Sequence, residues 1–232
     1  MRPRSLLLLL GLLAPLTACG GLERGPSGND LPGQSTATVV QGAVLFPPLA
    51  GTATLTSDTG KQRLPVMTMD VQADGSYSLT LPESPPTGAS SGVPATLWHS
   101  GMPLFCQGRP VLSDPAAQLL VVDGGFYSAG QQRIGELSPQ PTALGNDAGL
   151  VITLKLLAYA DRPAIVQGTL NCTVGSKASD KTAQVTLDYR FKRGWNTVVV
   201  RSELPVQSSE LNIQGYVTPL QGTTWKFLPT SP

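Results

Sequence analysis

Along residues 184–192 apolar and polar side chains alternate without a break. Val185, Leu187, Tyr189 and Phe191 stand against Gln184, Thr186, Asp188, Arg190 and Lys192. A two-residue period puts one set on a buried face and the other in water, so the run predicts a half-buried strand. Tyr77, Leu79 and Leu81 alternate with Ser76, Ser78 and Thr80 in the same way, after an Asp74-Gly75 hairpin signal and before Pro82. Val166, Leu170, Cys172 and Val174 share one parity with Gly168, which points Cys172 inward. Further strands are expected from Val39, Thr52, Leu64, Ala117, Phe126, Thr197, Leu211 and Trp225. Leu150 to Tyr159 is apolar nearly throughout and could pass for a buried helix, but its β-branched residues and Gly and Pro flanks favour a strand. Nowhere is a helical period sustained. The chain reads as all-β: a β-sandwich or open barrel of short antiparallel strands, with room for two packed β modules.

Between these runs, Asp123-Gly124-Gly125 reads as a turn, and residues 138–149, with Pro139, Pro141, Gly145 and Gly149, as a loop. Residues 83–97 are rich in Pro, Gly and Ser and either separate two domains or form one long loop inside a single domain. The organisation expected is a leader over 1–18, a flexible tether over 19–36, a small β-sandwich-like module over 37–82, the connection 83–97, and a larger β domain over 98–232. The stretch from 98 to 115 carries Trp98, His99 and Cys106 without a clear pattern.

The start of the chain carries an address. Met1-Arg2-Pro3-Arg4 is a short positive head, and the 13 positions from Leu6 to Ala18 form an apolar run that ends in small residues. As a helix that run would reach about 20 Å, too short for a hydrocarbon core about 30 Å thick. Basic head, short apolar middle and small-residue exit make a secretory signal peptide. Leu16-Thr17-Ala18-Cys19 resembles the lipobox of bacterial lipoproteins. The resemblance implies a diacylglycerol on the Cys19 thiol, cleavage before it, and a new amino end that can be acylated. Two or more acyl chains hold a protein firmly at a bilayer, where one does so only marginally. The implied partner is therefore the membrane, through lipidated Cys19, and the implied location is the cell envelope. Gly20 stands where an Asp would favour inner-membrane retention, which leans the expectation toward the outer membrane or cell surface.

Composition narrows the rest. Charged residues make up 13% of the chain, about half the usual 25%, while 25 Gly and 21 Pro interrupt helices and supply turns. Loss of Arg2 and Arg4 with the leader brings 16 basic residues to 14, against 15 acidic ones. With no basic cluster, nucleic acid is not an expected partner, nor does a polybasic patch bind the body to anionic lipid. Beyond Cys19 two cysteines remain, Cys106 and Cys172, an even pair in an exported chain. An oxidising compartment predicts a disulfide between them. One His and no Cys-x-x-Cys leave neither a metal site nor a cofactor to expect.

Two resemblances bear on the body. Val40-x-Gly42-x-Val44 followed by Asp74-Gly75-Ser76-Tyr77-Ser78-Leu79-x-Leu81-Pro82 resembles transthyretin-like or carboxypeptidase-regulatory-like β-sandwich modules, which implies a structural or binding unit over residues 37–82. Tyr159-Ala160-Asp161-Arg162, the Gly168–Cys172 strand and Arg193-Gly194-Trp195-Asn196 together look like a set of uncharacterised bacterial envelope lipoproteins. That likeness implies architecture and location and adds no chemistry.

Catalytic and ligand motifs are thin. Gly88-Ala89-Ser90-Ser91-Gly92 matches the form of a nucleophile elbow, yet it lies in the Pro/Gly/Ser connection rather than between a strand and a helix. His99 follows nine positions later and is the one imidazole that could serve Ser90. Asp70-x-Gln72-x-Asp74-Gly75 starts like a calcium loop, but its twelfth position is Leu81, where a bidentate Glu is needed. Asn171-Cys172-Thr173 has the form of a glycosylation sequon beside an inward Cys. Trp98, Trp195 and Trp225 could form a sugar platform or simply pack a core. The function expected is a lipid-anchored envelope protein with a structural or binding role and no enzymatic activity, its protein or glycan partner undefined. The alternative is a carrier of an apolar or glycan ligand in a β cavity or on a Trp face, and a hydrolase stands behind that.

Overall fold

The computed structural model describes residues 38–58, 62–83, 90–91, 93–94, 96–99, 104–174, 182–208 and 210–230, without the side chains of 90, 91, 98, 99 and 146. The expected signal peptide, Cys19 and the expected tether over 19–36 lie outside them. The described residues belong to one compact unit spanning 37–232. In chain order the strands are β1 (Val39–Leu45), β2 (Gly51–Asp58), β3 (Arg63–Val71), β4 (Ser76–Thr80) and β5 (Ser90–Ser91). After a four-residue helix α1 (Thr96–His99) come β6 (Leu104–Gln107), β7 (Val111–Leu112), β8 (Gln118–Val122), β9 (Gly124–Ala129), β10 (Gln132–Pro139) and β11 (Thr142–Asn146). The last six are β12 (Gly149–Ala160), β13 (Ala164–Val174), β14 (Thr182–Phe191), β15 (Gly194–Pro205), β16 (Glu210–Thr218) and β17 (Trp225–Pro229). The protein is all-β, as its patterning predicts.

Two sheets are built from these strands. The first closes into a barrel in the order β1-β17-β10-β9-β2-β3-β4, and β4 pairs back on β1. The second has ten strands, ordered β5-β8-β12-β15-β16-β14-β13-β6, with β11 beside β12 and β7 beside β13. Most pairs are antiparallel, but β1 lies parallel to β17 and β14 parallel to β16. Both parallel pairs join strands that are not consecutive in sequence, which no local hairpin signal announces.

Alternation sets the faces. In β14 the odd-numbered Val185, Leu187, Tyr189 and Phe191 are buried and their even-numbered neighbours exposed. They pack with Leu156, Ala158, Val198, Val200, Ile213 and Leu97 of α1 into the core of the second sheet. The barrel core gathers Val44, Leu55, Val71, Tyr77, Tyr127, Leu137 and Trp225. Leu120, Val122, Leu157 and Tyr159 of the second sheet join this barrel core, while Leu119, Val121, Leu156 and Ala158 face the other one. Strands β8 and β12 are therefore buried on both faces, and such strands lose their polar alternation. That is why Leu150 to Tyr159 looks helical in sequence: its second half is apolar because both sides are covered.

Four expectations need correction. Asp123-Gly124-Gly125 is not a turn: the chain runs on from β8 into β9, crossing from the second sheet to the barrel, and the glycines pair extended with Leu55 and Thr56 of β2. The segment 138–149, expected as a loop, contains β11 on the edge of β12. The irregular stretch around Cys106 contains β6 and β7, both paired with β13. Finally, residues 37–82 do not close a module of their own. They supply β1 to β4, and the barrel is completed by β9, β10 and β17 from beyond the 83–97 connection.

Candidate functional site

Two of the three segments of the envelope-lipoprotein likeness, 159–162 and 193–196, come together at the junction of the two sheets. The third, 168–172, lies apart on β13, which pairs with β14, β6 and β7. Tyr159 of β12 stands opposite Trp195 of β15 in register, and their rings meet edge to face with centroids 5.4 Å apart. The indole N–H of Trp195 donates to the carbonyl oxygen of Pro82 at 2.6 Å, and the Tyr159 hydroxyl donates to that of Glu83 at 3.2 Å. Both acceptors lie just past β4, so this aromatic pair ties the barrel's exit to the second sheet. Asn196 fixes the turn before it. Its carboxamide accepts from the Lys192 N–H at 3.0 Å and donates to the carbonyls of Lys192 and Gly194 at 2.9 and 2.8 Å. Asp161 does the same for the β12–β13 turn, accepting from the Gln118 N–H at 2.8 Å and from Arg162 at 3.0 and 3.1 Å. Hydrogen bonds from Arg162, then from Gln118, hold its carboxyl below the usual range. These motif residues are structural fasteners.

Beside them lies a groove of about 640 Å³. One wall is Asp188 and Arg190, on the outward row of β14, with Lys192 just past the strand's end, and the floor includes Tyr216 of β16, which pairs with Asp188 in parallel register. Trp195 and the Pro219-Leu220 segment form the other side. Asp188 and Arg190 are ion-paired at 3.1 Å, but at 52% and 71% side-chain exposure the pair is worth little. The Lys192 ammonium has no ion-pair partner among the described residues. The lining thus offers aromatic surface, hydrogen-bonding groups and a small positive excess, and it pairs no nucleophile with a base.

The remaining candidates are dispersed. Cys106 and Cys172 stand directly opposite each other on β6 and β13 and form a disulfide, with Cα atoms 3.9 Å apart. Cys172 is buried and faces the second core, as its parity predicts. A hollow of about 710 Å³ lies over this bridge, beside Phe105, Asn171, Thr173 and Glu210. Ser90 forms part of β5, pairing with Leu119, and is not on a strand-to-helix elbow. His99 ends α1, and its side chain, like that of Trp98, lies outside the described ones. Asp74 caps a turn, accepting from the Ser76 N–H at 2.8 Å, while Asp70 accepts from Thr52 at 3.4 Å. Trp225 is fully buried inside the barrel with Tyr127 and Leu55, so that interior is filled by side chains and Trp225 is no surface platform. Among the described residues no group of three His, Cys, Asp or Glu side chains could hold a metal ion.

One titratable site stands out. Asp123, the single residue between β8 and β9, accepts from the Asp58 N–H through both carboxylate oxygens at 3.2 and 3.3 Å. Burial, with the Asp58 charge nearby, pushes its carboxyl up to about 6. No motif or spacing announces the Lys192–Tyr216 groove. Its only trace is that Tyr216 falls on the outward parity of β16 and Lys192 continues the outward parity of β14 by one step.

No protein-family model, no curated protein and no solved structure matches this chain.

Proposed function

We propose that the chain is an exported, lipid-anchored cell-envelope protein whose β body binds or scaffolds without catalysing a reaction. The observation that carries this reading is the distribution of its three cysteines. Cys19 sits in the lipobox at the exit of the leader, and the other two are joined in a disulfide, which persists in oxidising compartments. The lipid supplies the membrane contact, and Gly20 favours the outer membrane or the cell surface. The binding partner is a protein or glycan of the envelope. Metabolic labelling with a radioactive fatty acid tests the anchor: label is expected on the wild type and lost in Cys19→Ala. Equal labelling of the two would remove it.

A second reading is supported by the junction groove. Trp195 and Tyr216 flank hydrogen-bonding and charged side chains, the arrangement that suits a saccharide laid against an aromatic wall. In this reading the protein carries a glycan on its surface. Native mass spectrometry of protein extracted from envelopes is expected to show a retained sugar that Tyr216→Ala releases. Identical spectra for both proteins would leave the groove without that role.

A further inference from the structure

We infer that the Phe46–Ala50 loop is a lipid-contacting surface that seats one end of the barrel on the bilayer holding Cys19. The inference rests on the lipid anchor proposed above and adds a second, shape-defined contact to it.

The loop joins β1 to β2 as Phe46-Pro47-Pro48-Leu49-Ala50, without a charged residue. Phe46 is 77% exposed and Leu49 50%. Phe46 is also the one non-glycine residue with positive φ among the described residues, at 59°. A bulky side chain in the left-handed region is strained, and such strain persists where a site requires it. Here it buries nothing within the fold. It holds an aromatic ring out into the surroundings.

The protrusion is firm. The Tyr127 hydroxyl donates to the Leu49 carbonyl at 2.7 Å, and the Val44 N–H, just before the loop, donates to the Gly75 carbonyl at 2.8 Å. Strand directions bring to the same end the β3–β4 turn, the β9–β10 turn and the finish of β17, where Leu228 is 40% exposed. Charges of both signs flank the loop: Asp74 lies in the β3–β4 turn, and Lys226 of β17 stands opposite Leu45 in register. The contact is apolar because the loop itself carries no charge.

Reach is sufficient. The chain outside the described residues ends at Ala37, and from Cys19 to Thr38 it can span at most about 65 Å. Strand β1 then climbs only about 23 Å to Phe46. Two exposed apolar side chains bind a bilayer weakly by themselves, but the anchor makes their docking an intramolecular event at high effective concentration.

The test places a nitroxide at Phe46→Cys in the full lipidated chain, reconstituted in phosphatidylcholine vesicles. With Cys19 acylated and Cys106 bonded to Cys172, the new thiol is the free one. Collisions with a water-soluble nickel chelate are expected to fall several-fold, and those with oxygen to rise, relative to a label at Asp188→Cys. A label at Leu49→Cys follows the same trend and returns to water when Phe46→Gly, which relieves the backbone strain, is added. Protein that floats with vesicles while both loop labels stay in water overturns the loop contact and leaves the anchor standing. Protein that does not float with vesicles overturns both.

Discussion

The ring of Tyr189 occupies the space that a side chain at position 215 would need. A Cβ there would lie 2.8 Å from its Cε2 and closer still to its Cζ and hydroxyl. Leu187 pairs with Gly215 across β14 and β16, so Tyr189 reaches diagonally over the glycine, and its hydroxyl donates to the buried carbonyl of Leu97 in α1. Burial pushes that phenol far above its ordinary range. The barrel repeats the arrangement: Tyr77 covers Gly42 and donates to the carbonyl of Thr223. Each core is thus closed by a tyrosine that lies on a glycine and fastens a segment outside its own sheet.

Gly215→Ala is expected to cost about 2–3 kcal/mol, because the ring can yield only by giving up its bond to Leu97. Tyr189→Phe keeps the ring and orphans that carbonyl, a loss of about 1–2 kcal/mol. Urea unfolding monitored by circular dichroism measures both. Effects below about 0.5 kcal/mol, the range of ordinary surface changes, would show that the contact is slack.

Asp123 gives the fold an inverted response to pH. Its carboxyl titrates at about 6 in the folded protein against 3.8 ordinarily, so between those values the folded state holds a proton that the unfolded state releases. Its contribution is complete below about pH 3.8 and is lost as pH rises through about 6. Asp123→Asn keeps an acceptor for the Asp58 N–H and removes the charge. At pH 7.5 it is expected to stabilise by about 1–2 kcal/mol, less than the full shift implies because the group is partly solvated. The gain should vanish near pH 4. Thermal melts of both proteins across pH 4–8 test this, and a gain that persists unchanged at pH 4 would contradict it.

The disulfide closes a separation of 66 residues, and cross-linking a loop of that size stabilises by roughly 4 kcal/mol in the chain-entropy model. Reductant is expected to lower Tm by 10 °C or more, roughly, for a domain of this size. The double variant Cys106→Ala, Cys172→Ala should melt at the same lowered temperature with or without reductant. An unchanged Tm in reduced wild type, with both thiols open to alkylation, would dismiss a stabilising role.

What could be read from sequence divides along lines of burial. Strands with one wet face, such as β14 and β4, declare themselves by strict alternation, and the inward parity of Cys172 follows from the same rule. Strands covered on both faces, such as β8 and the second half of β12, present unbroken apolar runs from which neither face can be read. Edge strands fail for the opposite reason. β11 is exposed where it is described, so Thr142 to Gly145 carry no apolar period. The barrel escapes local reading because β17 closes it in parallel with β1, from the far end of the chain. For the sites, cysteine arithmetic suffices to pair Cys106 with Cys172. The junction groove and the Phe46 loop depend on which residues the folded chain leaves uncovered, and that is not written in any one segment.

Intact-mass spectrometry of protein extracted from its native membrane tests directly whether Cys19 carries lipid. A chain that begins at Cys19, heavier than residues 19–232 by a diacylglyceryl group with or without an added acyl chain, is the result expected. A chain retaining Met1 to Ala18, with no added mass and free thiols at Cys106 and Cys172, would contradict it.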